Sequence, residues 1–412
     1  MLKSTLPVIH ELAPLIMEHS DQAERERRLA QPVVNAFIDA GMFKLLLPAE
    51  LGGAGANPLE FCEVIEAVSA LDGSAGWCLM IGAGFGLFTG LLSASAAVEV
   101  YADRCAIGCG TFRPNGVARV VAGGFQVSGQ WPLASGSSHA TTFVGGCRIF
   151  DGDQPRLTSA GKPEVRLVFL APSAVKILDT WDAAGLRGTA SHDFVVQDQV
   201  VPAARSCWFS HPPTRPEPLY RLPAVAFFAT AIASVSLGIA RHAIELFAAF
   251  AAKKKPTWSQ APLSESAEAQ IAVGRADGLV RSGRAFVTEA LKEAWTTVTH
   301  GENLAWDQRG LLWLAGTQAA THAVEAVGLL FSAAGASAVY ASTGLERCLR
   351  DVRTAAQHIC VIPENFGIAG RLALGLDVSN SRWSIDDRPE DYPTKNKVGR
   401  GQQAFVSLAK PV

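Results

Sequence analysis

The chain has 412 residues, of which 18% are charged and 49% hydrophobic, with a formal net charge of −2. Such a length exceeds one ordinary core and predicts two or three domains, while charge below the roughly 25% of a typical soluble chain predicts surface buried between copies of a homo-oligomer. No basic stripe is present, which excludes nucleic acid as a partner.

The N-terminal stretch has no signal-peptide core and passes early into mixed charge. Residues 1–104 read as a helical domain. Val8, Ile9, Leu12, Leu15 and Ile16 share one helical face, and Val33, Val34, Phe37 and Ala40 repeat the spacing before Gly41 stops the element. A turn-rich loop from Pro48 follows, and Phe61, Val64, Ile65 and Val68 then resume the helical period. Two apolar stretches, 76–92 and 224–240, reach the lower limit of a membrane span. The first carries five glycines and the second is rich in Ala and Ser, so both are expected to be buried helices and not spans. The Gly82-Ala-Gly-Phe-Gly86 run has no preceding strand and is not a dinucleotide loop.

Residues 105–218 change period and read as a small β-domain. A hairpin is expected around Gly123-Gly124, with Phe125, Val127, Gly129 and Trp131 alternating onto one face. Short apolar runs follow at 142–144, 166–170, 175–177, 194–196 and 200–201, and a proline-dense linker begins at His211. Residues 219–380 return to helix, over 224–252, 268–299, 307–334 and 345–374, as in an antiparallel bundle. Lys253-Lys254-Lys255 is the single cationic run, read plainly as a solvated helix end. The tail, 381–412, is polar and irregular and is expected to wrap a neighbour or to be loosely held. The eight cysteines, at 62, 78, 105, 109, 147, 207, 348 and 360, form no C-x-x-C pair and have no histidine cluster beside them. Reduced thiols in a cytoplasmic protein, and no metal, are the expectation.

Two segments carry chemistry. Trp131-Pro-Leu-Ala-Ser135-Gly136 closes a strand with a hydroxyl that both donates and accepts, suited either to a flat aromatic cofactor or to its own turn backbone. Arg350-Asp351-Val352-Arg353-Thr354-Ala355-Ala356-Gln357-His358 delivers an imidazole on an apolar helix, either a core histidine or a proton carrier near neutral pH.

Helices, a small β-domain and a helical bundle, together with the 123–136 stretch, Trp181 through Asp193, Gly335-Ala-Ser337-Ala and Arg350 through His358, resemble the acyl-CoA dehydrogenase superfamily over nearly the whole chain. The resemblance is nearest to its branch of two-component flavin-dependent monooxygenases, the p-hydroxyphenylacetate hydroxylase oxygenase, secosteroid hydroxylase and dibenzothiophene monooxygenase group. It implies a mainly α fold with a central β-domain (helical N-domain, β-barrel or sandwich, C-terminal four-helix bundle) in a homotetramer. It also implies reduced FMN from a separate reductase, with FAD as the other choice. That flavin reacts with O2 to a C4a-hydroperoxide that oxygenates an aromatic or polycyclic small molecule by hydroxylation or N- or S-oxygenation. Dehydrogenases of the family place a glutamate base where this chain has Ile359, preceded by His358; isoleucine cannot accept a proton, and Glu364 is out of register.

By the same resemblance, Ser135 and His358 are the catalytic pair, Ser135 holding the flavin N5 edge and the peroxide. Trp131, Leu133, Ala134, Ser135, Ser337 and Lys253 contact the cofactor, Ser337 near a flavin phosphate from an adjacent subunit and Lys253 by charge. Trp131 serves equally as β-domain core. Trp77, Phe85 and Phe88 would wall the substrate pocket, or serve as core. Phenol hydroxylases of the branch carry a second histidine in the region of 77–98, where this chain has none. The alternatives are a dehydrogenase using an unrecognised base such as Glu364, and a non-catalytic flavin-binding paralogue.

Overall fold

A computed structural model describes residues 5–158, 161–257, 259–379, 381 and 383. The helices are α1 (Thr5–Glu26), α2 (Gln31–Asp39), α3 (Pro58–Ser69), α4 (Gly73–Gly84) and α5 (Ala94–Tyr101), followed after the strands by α6 (Ala224–Lys253), α7 (Ala267–Thr299), α8 (Trp306–Ala334), α9 (Leu345–Ala355) and α10 (Glu364–Ala373). The strands are β1 (Gly108–Val121), β2 (Gly124–Ala134), β3 (Thr142–Asp151), β4 (Gln154–Pro155), β5 (Val165–Leu170), β6 (Lys176–Leu178), β7 (His192–Pro202) and β8 (Ser206–Cys207). Two compact units result. One takes residues up to Ala56 with Trp77–Ala183 and Arg187–Tyr220; the other takes Asn57–Gly76, Ala184–Leu186 and the chain from Arg221. The 381–412 tail lies outside the described residues apart from Ser381 and Trp383.

In the first unit the strands form one sheet in the order β6-β7-β2-β1-β3-β5-β8, with β4 on β3. β1 and β3 run parallel and the other pairs antiparallel. The β1–β2 hairpin turns through Ala122 and Gly123, one residue earlier than the sequence suggests: Val121 pairs with Gly124, and Gly123 takes φ +79, which glycine adopts without penalty.

Trp131 organises the core of this sheet. Its indole has no exposed surface, stacks on Phe194 at 5.0 Å and 16°, and donates from Nε1 to the Gly146 carbonyl at 2.8 Å. Its slot exists because Gly116, Gly129 and Gly145 lack side chains: a Cβ on them would lie 2.2, 2.7 and 2.7 Å from the ring. These strand glycines are close-approach positions. The expectation that Trp131 lies along a flavin is therefore corrected, since a fully enclosed ring has no face to offer.

Phe85 and Phe88 are corrected for the same reason. They follow α4 in a short 3-10 turn, Phe85–Gly90, and are 1% and 0% exposed. Phe88 packs on Phe112, Phe169 and Phe209 with centroids 5.5, 5.8 and 5.8 Å away, and Phe85 on Phe88 at 5.3 Å. They are core, not pocket wall. The apolar 76–92 stretch is thus a helix and a 3-10 turn in succession.

In the second unit α3 packs against α6. Asn57 caps α3 through a reciprocal box with Glu60, and Pro58 opens its first turn. Close approach is permitted by Gly238, whose Cβ would sit 2.4 Å from the Glu66 carbonyl oxygen. Glu66 itself takes two hydrogen bonds of 2.9 Å from Arg284 Nε on α7. Two helical spans are long and apolar enough to cross a membrane: Ala224–Lys253, 89% of whose most apolar window is buried inside the protein, and Trp306–Val339, where the share is 33%. Burial accounts for the apolarity of the first without invoking lipid. The expected helix over 345–374 is two helices: α9 ends at Ala355, and α10 begins after Pro363, which stands at its N-cap, where the missing N–H costs no intrahelical bond.

Gly238→Ala should drive a methyl into the Glu66 carbonyl and cost about 1–3 kcal/mol, the usual range for overpacking. Urea unfolding measures the loss, and a midpoint equal to that of the parent would refute this account of the α3–α6 contact.

Candidate active site

The end of β2 is irregular in a way that presents Ser135. The β2–β7 register runs Trp131↔Phe194 and then Ala134↔His192, so one strand carries an extra residue. Leu133, two residues after the buried Trp131, would share its face in a regular strand. Instead it adopts left-handed φ +64 and is 56% exposed, while Ala134 and Ser135 turn inward. A bulge re-aims side chains in just this manner.

Ser135 is 6% exposed, and its Oγ accepts from Trp77 Nε1 at 2.9 Å. The same oxygen shares a hydrogen bond with Ser191 Oγ at 2.7 Å, and Ser191 shares another with Thr189 Oγ1 at 2.7 Å. The segment 189–191 is stitched to 135–137 by backbone as well: Gly136 N–H donates to the Thr189 carbonyl at 2.7 Å, and Ser137 Oγ donates to the Ala190 carbonyl at 2.7 Å. Ala190, at φ +45, bends sharply to allow it. Trp77, itself 7% exposed, therefore stands beside the serine as a buried hydrogen-bond donor. Ser191 and Thr189 are not singled out by the sequence, although they lie in the Trp181–Asp193 stretch that carries the family resemblance.

A hydroxyl oxygen manages three hydrogen bonds, one as donor and two as acceptor. Two directions at Ser135 are taken, and the third is left for a guest. An exposed apolar Leu133 next to a hydroxyl with one direction to spare fits a flat ring having an apolar face and a polar nitrogen edge, as a flavin has.

The remaining candidates lie in the second unit. His358 is not within a helix, as the apolar periodicity suggested, but in the turn between α9 and α10. Its Nδ1 accepts the Cys360 N–H at 3.3 Å, which leaves Nε2 as the protonated nitrogen of the neutral ring. Burial pushes its pKa down from 6.5 to about 4. At neutral pH it is a neutral imidazole.

The turn is held by Asn365, a fully buried side chain at the start of α10. Its Nδ2 donates to the Cys360 carbonyl at 3.0 Å and to Thr317 Oγ1 at 3.3 Å, while its Oδ1 accepts from Trp383 Nε1 at 3.4 Å. Glu364 and Ile359 are exposed. Arg350 and Asp351 are a clamp: buried Asp351 accepts the Leu186 N–H at 2.6 Å, and Arg350 donates to the Ala184 carbonyl and to Glu346. Gly185 is required there, since a Cβ would lie 2.3 Å from the Arg350 carbonyl oxygen. Lys253 is exposed at the last position of α6, where a cation complements the helix dipole. Ser337 is half-buried in the 3-10 turn Gly335–Val339 that follows α8. The structure thus gathers Leu133, Ala134, Ser135 and Trp77 in one unit, and His358, Ser337 and Lys253 belong to the other. No group of three or more potential metal-ligating side chains occurs among the described residues.

Residues 8–98 match the profile of the acyl-CoA dehydrogenase N-terminal domain, and residues 230–363 that of the acyl-CoA dehydrogenase C-terminal domain. The chain is 32% identical to an indole-3-acetate monooxygenase of Pseudomonas putida, over 85% of this chain and 89% of that one. It is 28% identical to the flavin-dependent monooxygenase oxygenase subunit HsaA of Mycobacterium tuberculosis, over 91% and 96%. Its fold superposes on the crystal structure of the 3-HSA hydroxylase from Rhodococcus sp. RHA1 with a TM-score of 0.84, at 24% identity, over 92% of this chain and 98% of that one.

Asn365→Ala should strand the Cys360 carbonyl and cost about 1–3 kcal/mol, the penalty for a buried polar group left unmade; equilibrium unfolding measures it. His358 supplies a pH test. Its folded pKa lies below the unfolded value, so the unfolded chain takes up the proton first and stability falls as pH drops from 6.5 to about 4. His139, also pushed down to about 4 by burial, adds to the same slope. In His358→Gln the fall in urea midpoint between pH 7 and pH 4.5 should be shallower than in the parent. Identical slopes would place His358 in water.

Proposed function

The chain belongs to the acyl-CoA dehydrogenase family, on its flavin-dependent monooxygenase branch, and from that premise we propose that it is the oxygenase component of a two-component system acting on an aromatic or polycyclic small molecule. The observation that carries this reading is the 32% identity to a named monooxygenase over 85% of the chain. Reduced flavin, delivered by a separate reductase, supplies two electrons, so that one oxygen atom of O2 enters the substrate and the other leaves as water. FMN is our first choice and FAD the second.

Within this scheme Ser135 directs its third hydrogen bond at the flavin N5 edge. Leu133 borders the ring, whereas Ala134 has no exposed surface and is corrected to sheet core for the same reason as Trp131. The low pKa of His358 keeps the imidazole neutral at neutral pH; with Nδ1 engaged by the Cys360 N–H, its Nε2 hydrogen is the group it would offer to a substrate or peroxide oxygen. Ser337, followed by exposed Val339 and Tyr340, and Lys253 would meet the flavin phosphate of a neighbouring subunit. A homotetramer agrees with the low charge content and with the largely unburied apolar span over Trp306–Val339. Eight free cysteines agree with a reducing, cytoplasmic setting. A dehydrogenase using Glu364 is disfavoured, because that carboxylate is exposed at the start of α10.

With chemically reduced FMN, O2 and indole-3-acetate as an aromatic probe, oxygen uptake should yield an oxygenated product. Ser135→Ala should divert oxygen to hydrogen peroxide, and His358→Ala should slow product formation about 10²–10³-fold, the range for losing one positioned hydrogen-bond donor. Anaerobic bleaching of bound FMN by an acyl-CoA, without oxygenated product from any aromatic probe, would overturn the reading.

A further inference from the structure

Three hydroxyls stand in line behind the position assigned to the flavin. Ser135, Ser191 and Thr189 are 6%, 4% and 0% exposed, and the two links between them are 2.7 Å each. The Trp77 indole has a donor and no acceptor, so its bond uses one Ser135 lone pair permanently. One proton and one lone pair remain on Ser135, and one of these must go to Ser191. In each link either oxygen is able to be the donor.

The sense of the chain decides what Ser135 shows a guest. When Ser191 donates to Ser135, the Ser135 proton is free to point outward. When Ser135 donates to Ser191, and Ser191 to Thr189, Ser135 points a lone pair outward instead. A flavin asks for both, because N5 carries a hydrogen in the reduced ring and only a lone pair in the oxidised one.

We propose that Trp77, Ser191 and Thr189 are positioning residues that fix the outward direction of the Ser135 hydroxyl and, by reversing the sense of the hydroxyl chain, let it accept from reduced flavin and donate to oxidised flavin. The proposal rests on the reading that Ser135 faces the flavin. Every group in it belongs to one compact unit and is joined by the contacts above. Sequence neighbours do not explain the arrangement: Trp77 comes from α4, Ser135 from the end of β2, and Thr189 and Ser191 from the turn before β7.

The test compares affinities for oxidised FMN and for dithionite-reduced FMN, measured anaerobically by ultrafiltration. In Thr189→Val the Ser191 proton loses its inward acceptor, so the chain is held with Ser135 donating outward. Affinity for reduced FMN should fall about tenfold while that for oxidised FMN stays as in the parent, tenfold being the scale of one buried donor left unmade. Thr189→Ala removes the same hydroxyl with less bulk and should give the same skew, and Thr189→Ser should restore the parental ratio. In a Ser135→Ala background the skew should vanish. Equal weakening of both redox forms, or no weakening, in Thr189→Val and Thr189→Ala overturns the proposal. Ser135→Ala separates the two levels. If it binds both forms as the parent does, the flavin-facing reading fails; if it weakens binding while the Thr189 variants show no skew, the reading stands and the hydroxyl chain is wrong.

Discussion

The enclosure of one indole sets the geometry on which the site depends. Trp131 occupies a slot cleared by Gly116, Gly129 and Gly145 and is pinned through Nε1 to Gly146. Immediately beyond this enclosed ring β2 changes direction through the bulge and the left-handed Leu133. A non-glycine residue at positive φ stores strain that the surroundings must offset. Here the offset is visible in the backbone and side-chain bonds from Gly136 and Ser137 to the 189–191 turn. Ser135 is thus held by a scaffold on both sides.

His358 is held by other means. A helical run would carry its imidazole through a full turn of residues, but the break before Pro363 sets it in a tight turn whose carbonyl is captured by Asn365. Packing around the ring opposes its protonation, so the group stays a neutral ring with Nδ1 engaged and the hydrogen on Nε2. Both assigned catalytic residues therefore stand where regular secondary structure stops, each fixed by buried polar groups from elsewhere in the same unit. Local irregularity costs stability and is retained where chemistry needs a side chain re-aimed.

Much of the architecture was legible from period alone. Helical spacing located α1 to α3 and the long helices α6 to α8, and alternation located β2, because those signals come from each element's own burial pattern; of β1 only the hairpin end from Arg119 was legible, and β7 read as two short apolar runs. Pairings were not legible: that β1 runs parallel to β3, or that α3 groups with α6, depends on contacts distant in sequence. The same limit applies to the site. Ser135 stood out because glycine and a strand end surround it, whereas Ser191, Thr189 and Asn365 carry no local mark and acquire roles only through partners far away. Large aromatics misled for a related reason. Trp131, Phe85 and Phe88 have the composition of a ligand wall, and only the absence of exposed surface reveals them as core.

The path of the backbone has a consequence of its own. It changes compact unit at 56/57, 76/77, 183/184, 186/187 and 220/221, so each unit is assembled from pieces that are interrupted by the other. No single cleavage yields either unit intact, and neither can be transplanted as a cassette. Three residues, Ala184-Gly185-Leu186, are borrowed from the middle of the strand region and sewn to α9 by Arg350 and Asp351. Each unit is closed by contacts between residues far apart in sequence, a topology whose loop-closure entropy slows folding.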